Sequence, residues 1–460
     1  MSALAATLPH AICAELERGW PLGAYAAHDG LRYLVLGSDG VRMVHVPRGD
    51  EPCRAVSALV PAFAWDEREM ADEWGVAFDA LPDPRALWAR GGALPDAIVA
   101  SGPGVTRIVV GPVHAGIIEP GRFTFSSGGE TVVHLDAQLG FSHRGLERAF
   151  AGADPLTLAP RVARICGACS ASRSLAYAIA LETIAGAQIP DEVELARLLL
   201  AELERIANHV FDLAVCASAA GWAPGFTTGL GLKEAAMRLA ATACGHRLFF
   251  DAIVPGGVRA EILADRTALR VQVDALAARV EEFLRVLFDN ASLVSRWTGT
   301  GALSFDEVRA LGVLGPAHRA SGGTIDVRDA LPYGAYRWLP TDVALETTGD
   351  VGARCRVKAA ELRTSFTFVR RALDQLGASA LPAPTPLALR CGTSTSVVEG
   401  PRGAETISVA IEDGVVTRLH AIAASYRTWP AVALATMRGI VPDFPLVNKS
   451  FNLCYACADR

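Results

Sequence analysis

Hydrophobic positions in the first part of the chain alternate instead of recurring at helical spacing. LRYLVL over residues 31–36, VRMVHV over 41–46 and RAVSALV over 54–60 are short β-rich runs separated by the turn signals GSDG and PRGDEP, a pattern that predicts an antiparallel sheet. The next segment, WDEREMADEWGVAFDALPDPRALW, opens as a charged helix with Gly75 as its stop. The looser ARGGALPDAIVASGPG predicts a linker near residue 98. Beyond it the period lengthens. Pro190 and Asp191 open a segment in which Leu195, Leu198, Leu199, Leu203 and Ile206 recur at helical spacing. Further long helices are predicted from about Asp265 to Asn290 and from about Val357 to Leu376, with Gly377 as a stop. FTFSSGGETVVHLD near residue 125 and ETISVAIEDGVVTRLHAIA near residue 410 each centre on a hairpin-like turn. The fold class is therefore α+β: a small α/β domain over residues 1–98, then a large, mainly helical-bundle domain over 99–460 with peripheral β-hairpins.

Composition narrows the class of protein. At 460 residues the chain exceeds one ordinary domain, and with 51% hydrophobic and 20% charged residues it can bury a large core. Its net charge is −6, and its three lysines and forty arginines form no run, which excludes a nucleic-acid partner. A mean hydropathy of +0.28 directs attention to Leu213–Leu232, twenty uncharged residues, about the length of a membrane span. Pro224 and the glycines at 221, 225, 229 and 231 would break a span, so the stretch reads as a buried loop or helix end. The amino terminus, MSALAATLPH, has no basic region ahead of a long apolar run, so a cytoplasmic protein is expected. Its ten cysteines should be reduced thiols or metal ligands.

Four of those cysteines carry the chemistry. Cys166 and Cys169 form one CxxC in RICGAC, Cys454 and Cys457 another in LCYAC, and 285 positions separate Cys169 from Cys454. Two such pairs can offer four thiolates to one soft metal centre, whether nickel, zinc or iron. A zinc ribbon closes over roughly 15 to 20 residues between its pairs, which disfavours that use here. A thioredoxin-like redox pair would need a βαβ setting that neither CxxC has. The cysteines at 13, 53, 216, 244, 355 and 391 are isolated and read as inert thiols.

RICGAC and SFNLCYACADR resemble the two cysteine motifs of the large subunit of nickel-iron hydrogenases. GPVHAGIIEPGRF, GETVVHLDAQLGFSHRGLER, AELERIANHV, VPGGV, LGPAHRASGGTIDVRDALPYGAY and VEGPRGAETISV are similar to segments of the energy-converting, formate-hydrogenlyase type (group 4). This resemblance covers about residues 105–460. DEREMADEWGVAF in the first domain resembles the small peripheral-arm subunit of respiratory complex I. The same body segments also resemble the quinone-site large subunit of complex I, which lacks both cysteine pairs.

The resemblance implies a catalytic subunit that interconverts protons plus electrons and H2, with proton reduction coupled to an oxidoreductase partner as the expected direction. The alternative it implies is a complex I-like quinone-reactive or coupling subunit without that activity. Cys166 and Cys454 would bind nickel alone, and Cys169 and Cys457 would bridge nickel to an iron carrying CN and CO. Cys454 is also placed among the catalytic residues, since a terminal thiolate can take a proton. Glu119 in GIIEP matches the proton-relay carboxylate, with Glu147 as second candidate, and Arg402 in GPRG matches the arginine beside the iron's diatomic ligands. His114, His143 and Arg144 lie in matched segments, Asp326 and Arg328 should form an internal ion pair, and His209 reads as structural. Arg173 stands where the family often has a histidine. The family often also has a proline before the first cysteine of the second motif, and many relatives carry a carboxyl-terminal tail that a protease removes.

The chain has no cysteine set for an iron-sulfur cluster beyond these pairs. Electrons would come through a small iron-sulfur subunit resembling the cluster-bearing subunit of complex I. Ferredoxin-like and integral membrane subunits would complete the complex and hold this chain peripherally on the cytoplasmic face of the inner membrane. The first domain would brace a partner rather than touch the metals.

Overall fold

The computed structural model describes residues 11–88, 94–114, 118–259, 261–378, 380–437 and 439–460. Its first sheet is an antiparallel meander of β1 (Trp20–Ala27), β2 (Gly30–Gly37) and β3 (Gly40–Pro47). β1 escapes the alternation pattern because Pro21 and Gly23 interrupt it, and a register shift between those two residues absorbs the interruption. The run at 54–60 is a strand only at Cys53–Arg54. Its continuation is diverted because the carboxylate of Glu67 accepts from Val56 N at 2.7 Å and Ser57 N at 3.0 Å, donors that a ladder would have needed. Glu67 lies on α1 (Ala64–Trp74), which stops at Gly75 with φ +62°, a left-handed conformation that suits glycine.

The body opens with a second three-stranded sheet of β4 (Val105–Val110), β5 (Arg122–Gly128) and β6 (Thr131–Gln138). The expected hairpin is β5–β6, and β4 extends it to a third strand. The long helices of the body follow, with shorter ones between them: α2 (Ser170–Ala185), α3 (Asp191–Ala219), α4 (Ala223–Cys244), α5 (Arg266–Asp289) and α6 (Val351–Leu376). α6 begins six positions before the predicted start because Asp350 caps it, accepting from Ala353 N at 2.7 Å. A third meander, β7 (Gly392–Gly400), β8 (Gly403–Glu412) and β9 (Val415–Ile422), packs under α2. α7 (Ala424–Thr436), α8 (Phe444–Phe451) and the five-residue α9 (Tyr455–Asp459) close the chain.

Of the two readings of the apolar stretch 213–232, the structure gives a helix end and not a loop. The stretch holds the end of α3 and the first half of α4, joined by residues 220–222. Pro224 is tolerated in the first turn of α4. A Cβ on Gly229 would sit 2.4 Å from Ala214 Cβ, so this glycine lets α3 and α4 cross closely. Among the described residues no helix is long and apolar enough to cross a membrane.

One continuous apolar core runs from Trp20 and Leu22 of β1, through α3 and α6, to Tyr455 and Ala458 of α9. A smaller cluster with Ile12, Tyr33, Phe63 and Met70 lies inside the first sheet and its helix. Between α3 and α6, where ridges of leucine would be expected, the packing face is charged. Ser365 Oγ donates to Glu202 at 2.5 Å, His209 Nε2 meets Glu361 at 2.8 Å, and Lys358 Nζ donates to Asp212 at 2.6 Å.

Candidate metal centre

Each CxxC is held as a turn by its own sulfur. Cys166 Sγ accepts from Ala168 N at 3.3 Å, and Cys454 Sγ, at the cap of α9, accepts from Cys457 N at 3.4 Å. Cys169 caps α2. The two turns are stitched by Arg144, whose Nη2 donates to Ile165 O at 2.8 Å and to Ala456 O at 3.4 Å, the residues just before Cys166 and Cys457. Cys166 Sγ and Cys454 Sγ are then 3.2 Å apart, well beyond the roughly 2.05 Å of a disulfide. The sulfurs of Cys166, Cys454 and Cys457 all lie within 4.8 Å of one another. Cys169 is within hydrogen-bonding reach of Cys166 and Cys457.

Crowding four thiols out of water splits their acidities. Hydrogen bonds from the other three hold Cys166 well below the usual thiol range. Cys454, donating to Cys166, is pushed up to about 12, and Cys169 and Cys457 are raised too. A soft cation entering the cluster would displace the thiol protons.

Two guanidinium groups flank the sulfurs. Arg402 Nη1 reaches Cys169 Sγ at 3.9 Å, and the group is fixed by Asn208 Oδ1 at 2.9 Å, Asn452 O and, at 3.6 Å, Asp212. Arg173, 1% exposed, donates through Nη2 to Glu405 at 2.6 Å and to Cys457 Sγ at 3.6 Å. Its Nε and Nη1 are buried without a hydrogen-bond partner among the described residues. Behind the first pair, the carboxylate of Glu204 accepts from Ala171 N at 2.7 Å, Ser172 N at 3.0 Å and Ser172 Oγ at 2.7 Å. Burial outweighs those donors and pushes Glu204 up to about 7. A cavity of about 150 Å³ opens beside Gly167 and Ala168, lined by Asn208, Phe211, Lys233 and Arg402.

The other residues singled out in the sequence fall into two groups. Glu119 is exposed, with its charge acting on Tyr455 and Asp459, and His114 Nε2 lies 3.3 Å from Tyr455 Oη. The rest are structural. Glu147 is buried against Arg418, Arg460 and His420, which hold it well below the carboxylate range, so it is fixed as an anion and unsuited to relay protons. His143 stacks on Trp88 with ring centroids 4.5 Å apart and its Nδ1 lies 2.6 Å from Asp459 O. Asp326 and Arg328 pair at 2.7 Å. Glu204, Asn208, Asp212 and Glu405 were not singled out in the sequence as neighbours of the cysteines, and only a weak signal was there to find the first three. The spacing of 204, 208 and 212 along one side of a leucine-rich helix was the available one.

The donor set fits a soft metal ion or cluster. Four thiols converge in a buried site, and the unpaired Arg173 donors ask for an anionic or lone-pair acceptor that the protein does not supply.

The respiratory-chain NADH dehydrogenase 49 Kd subunit family matches residues 220–460, and the nickel-dependent hydrogenase family matches residues 144–213. The first cysteine pair thus lies in the second match and the second pair in the first. Formate hydrogenlyase subunit 5 of Escherichia coli (strain K12) is 29% identical, over 88% of this chain and 76% of that protein. The carbon monoxide-induced hydrogenase of Rhodospirillum rubrum is 30% identical over 77% of this chain and 99% of that protein. An NADH-quinone oxidoreductase subunit of Nitrosospira multiformis is 29% identical over 72% of this chain and 61% of that protein. A chain of the membrane-bound sulfane sulfur reductase, an archaeal respiratory membrane complex, superposes with a TM-score of 0.72 at 25% identity, covering 78% of this chain and 99% of its own.

Proposed function

We propose, for a chain that belongs to the family of the respiratory-chain NADH dehydrogenase 49 kDa subunit and the energy-converting nickel-iron hydrogenase large subunits, that it is the catalytic subunit of a membrane-associated hydrogenase complex. The observation that carries the reading is the meeting of all four paired cysteines at one buried point although 285 positions separate the pairs. Cys166, Cys169, Cys454 and Cys457 would hold a nickel-iron group whose iron carries CN and CO ligands. Bound there, the group would supply a soft, redox-variable centre for proton and hydrogen chemistry.

The protein's own residues do the rest. Arg402 and Arg173 donate to Cys169 and Cys457, which lowers the charge density on those two sulfurs and orients them. Cys454 is half-shielded at the mouth of the cluster and takes a proton as thiol. Glu119 passes that proton to solvent past Tyr455, the residue that follows Cys454. Electrons enter from a small iron-sulfur subunit, and ferredoxin-like and integral membrane subunits hold the complex on the cytoplasmic face of the inner membrane. Residues 1–98 and 99–460 form its two domains.

Nickel and iron should each be found near one per chain in the purified complex, with hydrogen-dependent dye reduction, and Cys457→Ser should abolish both, since a hydroxyl is too hard to bridge them. Glu119→Gln should keep both metals and slow turnover; wild-type turnover would move the relay elsewhere. The second reading, a quinone-reactive or coupling subunit, draws on the match of the 49 kDa family to half of the chain. A native complex free of nickel with intact electron transfer would select it.

A further inference from the structure

We propose that the acidic face of α1 positions the second cysteine pair, and that Glu69 is its positioning residue. In the sequence, WDEREMADEW reads as a charged helix. In the fold, Asp66, Glu69 and Glu73, at i, i+3 and i+7 on one side of α1, each meet a cation or histidine of the body. Arg427 pairs with Asp66 at 2.8 Å, Arg460 pairs with Glu69, and His143 and Arg148 both lie 3.2 Å from Glu73. The middle of the row meets the cysteine motif, because Arg460 is three residues beyond Cys457.

α9 is too short to hold its own shape. Five residues make a marginal helix, so the position of Cys457 depends on what grips each end. At the front, Ser425 Oγ accepts from Cys454 N at 3.0 Å. At the back, Asp459 accepts from Gly140 N and Ser142 N at 2.8 and 2.9 Å, and Arg460 enters the interior with 1% exposure. Its Nη1 donates to Glu147 at 2.7 Å and Ala421 O at 2.8 Å, its Nη2 donates to Glu69, and its guanidinium lies over the ring of Tyr426 at 4.6 Å. Glu147 already answers Arg418 at 2.7 Å and His420 at 3.0 Å, so Glu69 is the carboxylate Arg460 does not share. Glu69, Glu147 and His420 come close enough to suggest a cation site, but the guanidinium groups of Arg460 and Arg418 fill that role. A buried guanidinium that loses a carboxylate is strongly destabilised where it lies, and the segment free to move in response is the one that carries Cys454 and Cys457.

The test compares Glu69→Gln, Glu69→Asp and, as an exposed control, Glu51→Gln in the assembled complex. Amide hydrogen exchange is followed over residues 452–460 and over β1–β3, and nickel content and sulfur coordination are followed by X-ray absorption. Glu69→Gln should speed exchange over 452–460 by about tenfold or more, a local opening, leave β1–β3 unchanged, and lower both nickel content and sulfur ligands per nickel. Glu69→Asp should recover part of each, and the control should match wild type. Unchanged exchange over 452–460, or an equal rise over β1–β3, overturns the proposal. The nickel arm rests on reading the thiols as metal ligands, whereas the exchange arm does not. If Cys457→Ser also leaves nickel in place, that reading fails and exchange alone decides the positioning.

Discussion

Arg173 and Glu405 meet at 2.6 Å with side chains 1% and 3% exposed, and this pair defines what a single residue contributes at the cluster. A guanidinium cannot give up its proton as an imidazole would, so this chain places a permanent positive charge against Cys457, at the position where the resemblance implied a titratable histidine. The departure at 173 was legible in the sequence. Its acid was not, because Glu405 sits on a strand 232 positions away and nothing local marks it. His318 is the residue whose charge state is set most plainly by its surroundings. It is fully buried, its Nε2 accepts from Ile325 N at 3.2 Å, and burial with the neighbouring Arg319 charge lowers it to about 3. The folded protein therefore refuses a proton that the unfolded chain takes at about pH 6.5. Stability from His318 is complete above that pH and is lost as the pH falls below it, by up to about 1.4 kcal/mol per unit until the folded value is reached. Denaturant melts at pH 7.5 and 5.5 should show His318→Gln losing about 1 kcal/mol less than wild type between the two; equal losses would mean that the imidazole titrates normally in the fold.

At the scale of elements, α3 shows what periodicity can and cannot tell. Its leucines predicted the helix, and the same spacing concealed a second message in Glu202, Arg205, His209 and Asp212, which face Ser365, Glu361 and Lys358 of α6. Charge at these positions reads as a solvated face until the partner helix is in place. Buried ion pairs of this kind add little net stability, yet each punishes the loss of one member, so they fix how the two helices are aligned. Asp212 also touches Asn452 at 2.6 Å, which extends the seam to the second cysteine motif. The α3–α4 crossing depends instead on the absence of a side chain. Alanine is favoured over glycine in a helix by about 1 kcal/mol, but at Gly229 its Cβ would meet Ala214 Cβ at 2.4 Å and Ala214 Cα at 3.2 Å. Overpacking of this sort costs about 1–3 kcal/mol. Gly229→Ala should therefore lower the denaturation midpoint despite its better propensity, and a raised midpoint would show that the two helices can separate freely.

Across the whole molecule the first sheet with its helix and the body share one core. β1 enters the main apolar cluster, Arg418 donates to Ala26 O at 2.9 Å, and Arg427 and Arg460 each pair with a carboxylate of α1. The metal-free chain should accordingly unfold in a single calorimetric transition, as a cooperative unit does; two resolved peaks would make the two parts independent. The sequence by itself determined α1, α3, α5 and α6, the three β-rich regions and the two cysteine pairs, because hydrophobic period, caps and CxxC turns are set by residues within a few positions of one another. The tertiary structure alone decided that the four sulfurs meet, that Arg173 and Arg402 face them, and that the charged face of α1 is buried against the end of the chain. Those contacts join residues hundreds of positions apart, and burial, which turns a solvated charge into an obligatory ion pair, exists only once the chain has closed around it.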